Sequence, residues 1–301
     1  MRLALTIDPL QDGDLLFAQQ LGVQQIMADI ARWDAPSLAA ACNRVEQASL
    51  HLAGIENLPV QAYACAIKGE QGRNDEIAQV CELLRRMGQA GISLVGYRWA
   101  LSGPAPLPAD GQARGGASGT LYPKGAPPSS AESEGGPERQ WQNLAYFLHV
   151  VLPAAEEAGV RLAYQPSLAT LAAPGLLRHG EDLERLFQLA PSSFHGLDMD
   201  HGLLALAGED PGTIIRRWGG QGRILAAQVR SLRATDGSYG EGFLDEDRKG
   251  LFRALHAYRE AGFTGPLRPA PSPRMVGDTP WGHKGYAFSI GYLRAMLQAM
   301  G

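Results

Sequence analysis

The chain has three cysteines in 301 residues, Cys42, Cys65 and Cys81. No two form a CxxC pair, and none sits beside histidines at zinc-site spacing. A disulfide framework and a structural zinc ribbon are therefore excluded. Buried, reduced thiols are the plain reading, and they suit the cytoplasm. An excess of positive charge is also missing. Lys and Arg number 27 against 31 Asp and Glu, for a net charge of −4, which leaves no electrostatic basis for nucleic-acid binding. There is no long apolar run. The best stretch, Leu144–Ala155, is broken by His149 and Pro153 and is too short to span a bilayer. The opening MRLALTID enters strand-like alternation directly, with no basic segment and apolar core of a signal peptide. The expectation is a cytoplasmic protein with no membrane partner. A GxGxxG turn after the first strand is missing too, which argues against a dinucleotide-binding sheet. Its two imitations fail. GGQG at 219–222 follows a helix and precedes a strand, and GDTPWGHKG at 277–285 has His283 where a phosphate loop needs lysine.

What is present is a compact composition, 45% hydrophobic and 19% charged. Strand-like and helix-like segments alternate along the chain. Strands are expected at Leu3–Ile7, Val23–Ala28, Val60–Ile67, Ile92–Tyr97, Val160–Gln165, Phe194–Met199, Ile224–Arg230 and Gly265–Pro269. Helices are expected between them, including a long one over Pro36–Ala53 and others ended by Gly91, Gly159 and Gly262. About eight such units predict one (β/α)8 TIM barrel over residues 1–301 as a single domain, with an open doubly wound sheet as the alternative. Residues 102–138, rich in Gly, Pro, Ala and Ser, interrupt the rhythm directly after a strand. They predict a loop insertion lying as a lid over the C-terminal face of the barrel.

Chemistry in such a barrel collects where strands end. Those positions here are Tyr97 and Arg98, Tyr164 and Gln165, Asp198 to His201, Gln228 and Arg230, and Arg268 to Ala270. Alternation puts Asp198 and Asp200 on one face if the strand continues through them.

Several segments resemble the mannonate dehydratase family: IKGEQGRNDEIAQVCELLRRMGQAGISLVGYRW (67–99), ARGGA (113–117), LAYFLHVVLPAAEEAGVRLAYQP (144–166), RILAAQVRSLR (223–233), GSYGE (237–241), GFTGPLRP (262–269) and GYAFSIGYLRAML (285–297). The resemblance implies a barrel related to xylose isomerase-like proteins. It also implies dehydration of D-mannonate with a divalent metal, usually manganese. It further implies metal-ligand positions that this chain has changed. The family's histidine before proline falls at Gln165, its cysteine at Asp200, the histidine of its HLR motif at Gln228, and the aspartate of its PDHG segment at Ala270. A family histidine near the GSYGE segment is Gly240 here, while Arg230 and Glu241 match.

Manganese takes about six oxygen or nitrogen ligands. One carboxylate and two amides would make a weak site, so no cofactor is expected beyond weakly held divalent manganese. The candidate acid–base pair is Asp200 with His201. Arg98, Gln165, Gln228, Arg230 and Tyr239 are the candidate substrate-binding residues; for the tyrosine, packing is the plainer role. Three functions stay open. The first is a sugar-acid- or polyol-binding barrel with a degenerate or rebuilt metal site and little or no dehydratase activity. The second is a metal-independent isomerase, epimerase or other lyase. The third is a non-catalytic binding or regulatory protein. A homo-oligomer is compatible with all of them.

Overall fold

The computed structural model describes residues 1–30, 32–99, 109–123, 136–166, 180–206 and 208–301. Eight parallel strands form a closed barrel: β1 (Arg2–Ile7), β2 (Gln25–Ala28), β3 (His51–Ile55), β4 (Leu94–Tyr97), β7 (Arg161–Tyr164), β8 (His195–Asp200), β9 (Ile224–Val229) and β12 (Pro266–Pro269). They pair in chain order, and β12 returns to β1 through the partners Arg2 with Pro266 and Leu3 with Leu267. β2, β4, β8 and β12 are buried at every position. This fits strands covered by barrel filling on one side and helices on the other.

The surrounding helices bury apolar stripes against the barrel. The long helix Gly136–Ala158 packs Trp141, Leu144, Phe147, Leu148 and Val151 inward. Arg73–Gln89 does the same with Ile77, Val80, Leu84 and Met87. Asp34 and Asp210 cap the helices that follow them by accepting from Ser37 N and Thr213 N. The GDTPWGHKG segment is a helix start as well. Asp278 accepts from Thr279 N, Lys284 N and Gly285 N at 2.8, 2.9 and 3.2 Å. A side-chain carboxylate thus occupies the place a phosphate would take.

Two expectations need correction. The helix expected over Pro36–Ala53 ends at Gln47, and the third barrel strand is His51–Ile55. Val60–Ile67, expected as a strand, is a 3-10 turn (Val60–Tyr63) followed by the short helix Ala64–Lys68. The count of eight strands stands, with one of them moved.

The insertion also holds more structure than expected. Residues 102–108 and 124–135 lie outside the described residues. Between them, β5 (Ala109–Gln112) and β6 (Ser118–Pro123) form an antiparallel pair. The hairpin β10 (Ser231–Thr235) and β11 (Ser238–Gly242), which leaves the end of β9, adds to β6 to make a four-stranded sheet. Ser118 also exchanges backbone hydrogen bonds with Arg274, beyond β12. All three attachments are to strand C-termini, so this sheet belongs to the C-terminal end of the barrel.

Candidate functional site

Parallel strands deliver their C-termini to one face, and there the polar side chains form two linked networks. The first is centred on Arg268 of β12, a fully buried side chain. Its Nη1 and Nη2 donate to the two oxygens of Asp198 at 3.0 and 2.5 Å. Nη2 also donates to Glu56 Oε1 at 2.8 Å, and Nε donates to Thr6 Oγ1 at 3.1 Å. A guanidinium facing a carboxylate through two parallel bonds is the strong form of this pair. Burial opposes the Arg268 charge, but Asp198 and Glu56 outweigh it and raise the pKa. Burial drives the Asp198 carboxyl upward; Arg268 offsets part of that, and Glu56 and Asp200 add to the rise. Glu56 goes the other way: burial works to raise it, and Arg268, Gln165 and Thr6 bring it below its ordinary value.

Gln165 joins this network to Arg98. Its Oε1 accepts from Arg98 Nε at 2.6 Å, while its Nε2 donates to Glu56 Oε1 at 3.0 Å and Asp198 Oδ2 at 3.1 Å. The Arg98 backbone is held from behind, because the buried Tyr63 hydroxyl donates to the Arg98 carbonyl at 2.8 Å. The Arg98 side chain itself reaches solvent.

The second network is centred on Arg230. Its Nε lies 2.7 Å from Asp200 Oδ2, its Nη2 donates to Gln228 Oε1 at 3.0 Å, and its Nη1 lies 3.9 Å from Glu241. Asp200 Oδ1 accepts from Gly202 N and Leu203 N, at 3.1 and 3.2 Å. Gly202 is needed where it stands, since a Cβ there would come within 2.6 Å of Arg230 Cγ. Gly96 in β4 has a similar role, because a Cβ would meet the Glu56 carbonyl at 2.0 Å. Tyr286 is buried and feels Glu56 and Arg268 from one network and Glu241 and Arg230 from the other; burial chiefly pushes its hydroxyl up to about 12.

The structure brings Arg98, Gln165, Asp200, Gln228 and Arg230 together at one barrel end, as the sequence analysis expected. Asp198 and Asp200 are close enough for one charge to raise the other's pKa. His201 follows Asp200 and is buried. Neither ring nitrogen has a hydrogen-bond partner of good geometry, and burial lowers its pKa against the opposing pull of Asp200, Asp247 and the Gln228 backbone. Tyr239 lies on β11, half-buried, opposite Ala234 and Tyr122 in the small sheet. Ala270 is buried, its N–H bonded to the Val229 carbonyl at 2.9 Å, and it contributes only a methyl group.

Sequence reasoning missed Glu56 and Thr6, and it gave Asp198 and Arg268 no binding role. The missing signal for Glu56 was its strand, which was absorbed into a helix.

The sequence profile of the D-mannonate dehydratase (UxuA) family matches residues 135–301. This chain belongs to that family. Among curated relatives, mannonate dehydratase 2 of Halalkalibacterium halodurans is 36% identical over 155 residues, covering 49% of this chain and 44% of the relative. The mannonate dehydratase of Thermotoga neapolitana is 31% identical over 158 residues, covering 49% of this chain and 41% of the relative. The matches thus span under half the length of these curated relatives. In overall fold the chain is similar to the crystal structure of mannonate dehydratase from Streptococcus suis serotype 2, with a TM-score of 0.83 at 22% identity over 99% of this chain and 94% of that one. It is also similar to D-psicose 3-epimerase of Clostridium cellulolyticum H10, solved with D-tagatose, with a TM-score of 0.71 at 10% identity over 99% of both chains. At these identities the structural likeness carries the fold, a xylose isomerase-like TIM barrel.

The residues at the positions where the resemblance implies metal ligands do not offer the free oxygen and nitrogen donors that a manganese ion needs. Gln165 and Gln228 direct their amide oxygens at arginines, Asp200 lies against a guanidinium, and Ala270 has no donor atom. Among the described residues, no group of three or more His, Cys, Asp or Glu side chains is placed to hold a metal.

Proposed function

We propose that this protein is a mannonate dehydratase-family barrel that binds a sugar-like small molecule, a sugar acid or polyol, at its C-terminal mouth, with little or no dehydratase activity. The observation that carries this reading is the set of partners at the four changed positions. Loss of a proton alpha to a carboxylate builds negative charge, and a divalent ion with open coordination sites stabilises it. Here the donor atoms that could approach such an ion already accept hydrogen bonds from, or lie against, Arg98 and Arg230. Bringing in a dication would mean displacing guanidiniums from a largely buried cluster, against like-charge repulsion.

A second reading rests on His201. A neutral imidazole next to a carboxylate suits acid–base catalysis, as in a metal-independent isomerase or epimerase. It ranks second because Asp200 is already occupied by two backbone N–H groups and Arg230.

The test is elemental analysis of the purified protein, together with a keto-acid assay on D-mannonate with and without added manganese. The expected result is far less than one equivalent of manganese and no turnover above background. A full equivalent of tightly held metal, or manganese-dependent turnover of D-mannonate, overturns the proposal. Metal-free interconversion of a sugar, abolished by His201→Ala, would favour the second reading.

A further inference from the structure

We infer that Arg114 is a positioning residue for the Arg230 network: it clasps the chain directly after β11 and thereby fixes Glu241, Arg230 and Asp200. The inference deepens the reading that these residues serve a ligand-binding mouth, and it takes its functional weight from that reading.

Arg114 belongs to ARGGA (113–117), the turn between β5 and β6. The turn closes through Ala113 N, which donates to the Ala117 carbonyl at 2.8 Å. Gly115 and Gly116 stand at φ +68° and +76°, where any side chain would be strained. Open space surrounds both, so backbone conformation rather than packing calls for glycine here. The turn brings Arg114 to the 3-10 turn Leu244–Asp247. Its Nη1 and Nη2 donate to the two oxygens of Asp245 at 2.7 and 3.2 Å, the strong bidentate form. Its guanidinium also lies 4.9 Å from the centre of the Phe243 ring. Phe243 is buried and meets Phe288, of the helix His283–Met300, edge-on at 5.5 Å. The arginine therefore grips an anchored ring and not only a surface carboxylate.

That anchor is two residues from Glu241. Phe243 N donates to Glu246 Oε1 at 3.3 Å, and Glu246 pairs with Arg233 of β10 at 3.0 Å. In the hairpin, Ser231 opposes Gly242 and Leu232 opposes Glu241. The register held at this junction thus sets Arg230, next to Ser231, against Glu241. β6 closes in from the other side, where a Cβ on Gly119 would stand 3.2 Å from the Glu241 carbonyl oxygen. From Glu241 the contacts run inward. Arg230 Nη1 lies 3.9 Å from it, Arg230 Nε lies 2.7 Å from Asp200 Oδ2, and Asp200 Oδ1 accepts from Gly202 N and Leu203 N.

The clasp is partly open to water, with the Arg114 side chain 52% and the Asp245 side chain 30% exposed. Such a pair is modest in strength and screened by salt. It suits a small sheet that opens as a local unit while the barrel stays closed.

The experiment is hydrogen exchange on the full chain, without ligand, in low and high salt. In Arg114→Ala, exchange is expected to rise about fivefold or more across 109–123 and 231–242 and also at the Gly202 and Leu203 amides, with β1 and β2 unchanged. High salt should narrow the gap between this variant and the parent. The exchanged pair Arg114→Asp with Asp245→Arg should return all of these amides toward parent rates. A clasp that serves only the small sheet would leave Gly202 and Leu203 at parent rates in Arg114→Ala, and that result overturns the inference. A swapped pair that rescues nothing overturns it as well, because the effect would then belong to the turn and not to the contact. No ligand enters these measurements, so their failure is separate from failure of the mouth-binding reading. Thermal-shift titration with D-mannonate and D-mannitol tests that reading.

Discussion

Arg98 Nε and Gln165 Oε1, 67 residues apart in the chain, meet at 2.6 Å at the barrel mouth. That contact fixes which way the amide faces. With its oxygen on the arginine, its nitrogen must point at acceptors, and it finds Glu56 and Asp198. One glutamine thereby ties β3, β4, β7 and β8 together. It does so at a position where the family resemblance implies a metal-binding histidine.

If the barrel frame is intact, the metal can be restored. The fourfold variant Gln165→His, Asp200→Cys, Gln228→His and Ala270→Asp should create a divalent-metal site. It should also cut the bonds to Arg98 and Arg230, so in chelator it should melt well below the parent. Manganese should recover much of that loss, because binding to the native state alone stabilises it, by about 2.7 kcal/mol at a hundredfold excess over Kd. Ala270→Asp alone should respond far less. Melting curves with and without manganese check this. An unmoved fourfold variant would show that the backbone has shifted as well as the ligands.

Removing Arg268 should be costly because two carboxylates would be left in the barrel without it. Arg268→Met is expected to lose roughly 3–5 kcal/mol, the range for breaking a buried ion pair. Adding Asp198→Asn and Glu56→Gln should return a large part of it, since the neutral triple has no stranded charge. Urea unfolding of the single and triple variants decides. A triple variant no more stable than the single would show that Arg268 acts by packing.

The buried pair of Tyr97 and His195, hydroxyl to Nε2 at 2.8 Å, sets an acid limit on stability. Burial lowers the His195 pKa to about 3 in the folded protein, while the unfolded imidazole takes its proton near 6.5. Between those values the unfolded state binds the extra proton. Stability should therefore fall as pH drops below about 6.5 and stop falling from this source below about 3, by a total on the order of 5 kcal/mol. The double variant Tyr97→Phe with His195→Phe should have a flatter stability profile from pH 7 to 4. An unchanged slope would assign the acid sensitivity to other groups.

Gly202→Ala should disturb Arg230 without removing a polar group. The added methyl would meet Arg230 Cγ at 2.6 Å and should cost about 1–3 kcal/mol, as overpacking does. In the same background Asp200→Asn should cost less than in the parent, because the pairing it removes is already displaced. A double-mutant cycle measures the coupling. Strict additivity would mean that the arginine stem moves aside freely.

Barrel topology was legible because each strand–helix unit carries its own periodicity. The gap was β3. Val45, Ala48 and Leu52 continue helical spacing, so the helix seemed to run on through His51. What stops it is Ser49 at φ +52°, a left-handed residue of a type that gives no glycine signal in the sequence. Losing β3 hid Glu56, one residue past its end. Asp200, Gln165, Gln228 and Arg230 were legible because they sit at strand ends. Their partners were not, because hydrogen bonds between residues such as Glu56 and Arg268, 212 positions apart, leave no local pattern.

The small sheet at the C-terminal end of the barrel bears on how the molecule assembles. Its two halves, Ala109–Pro123 and Ser231–Gly242, come from the ends of different barrel strands. The two halves meet at least entropic cost once β4 and β9 lie in the same closed ring. Contacts this distant carry a large loop-closure cost when formed early and a small one once the ring exists. Loop-closure entropy therefore favours ring first and small sheet second. In that order Arg230 and Glu241, which lie at the start and end of the β10–β11 hairpin, would take up their final positions last.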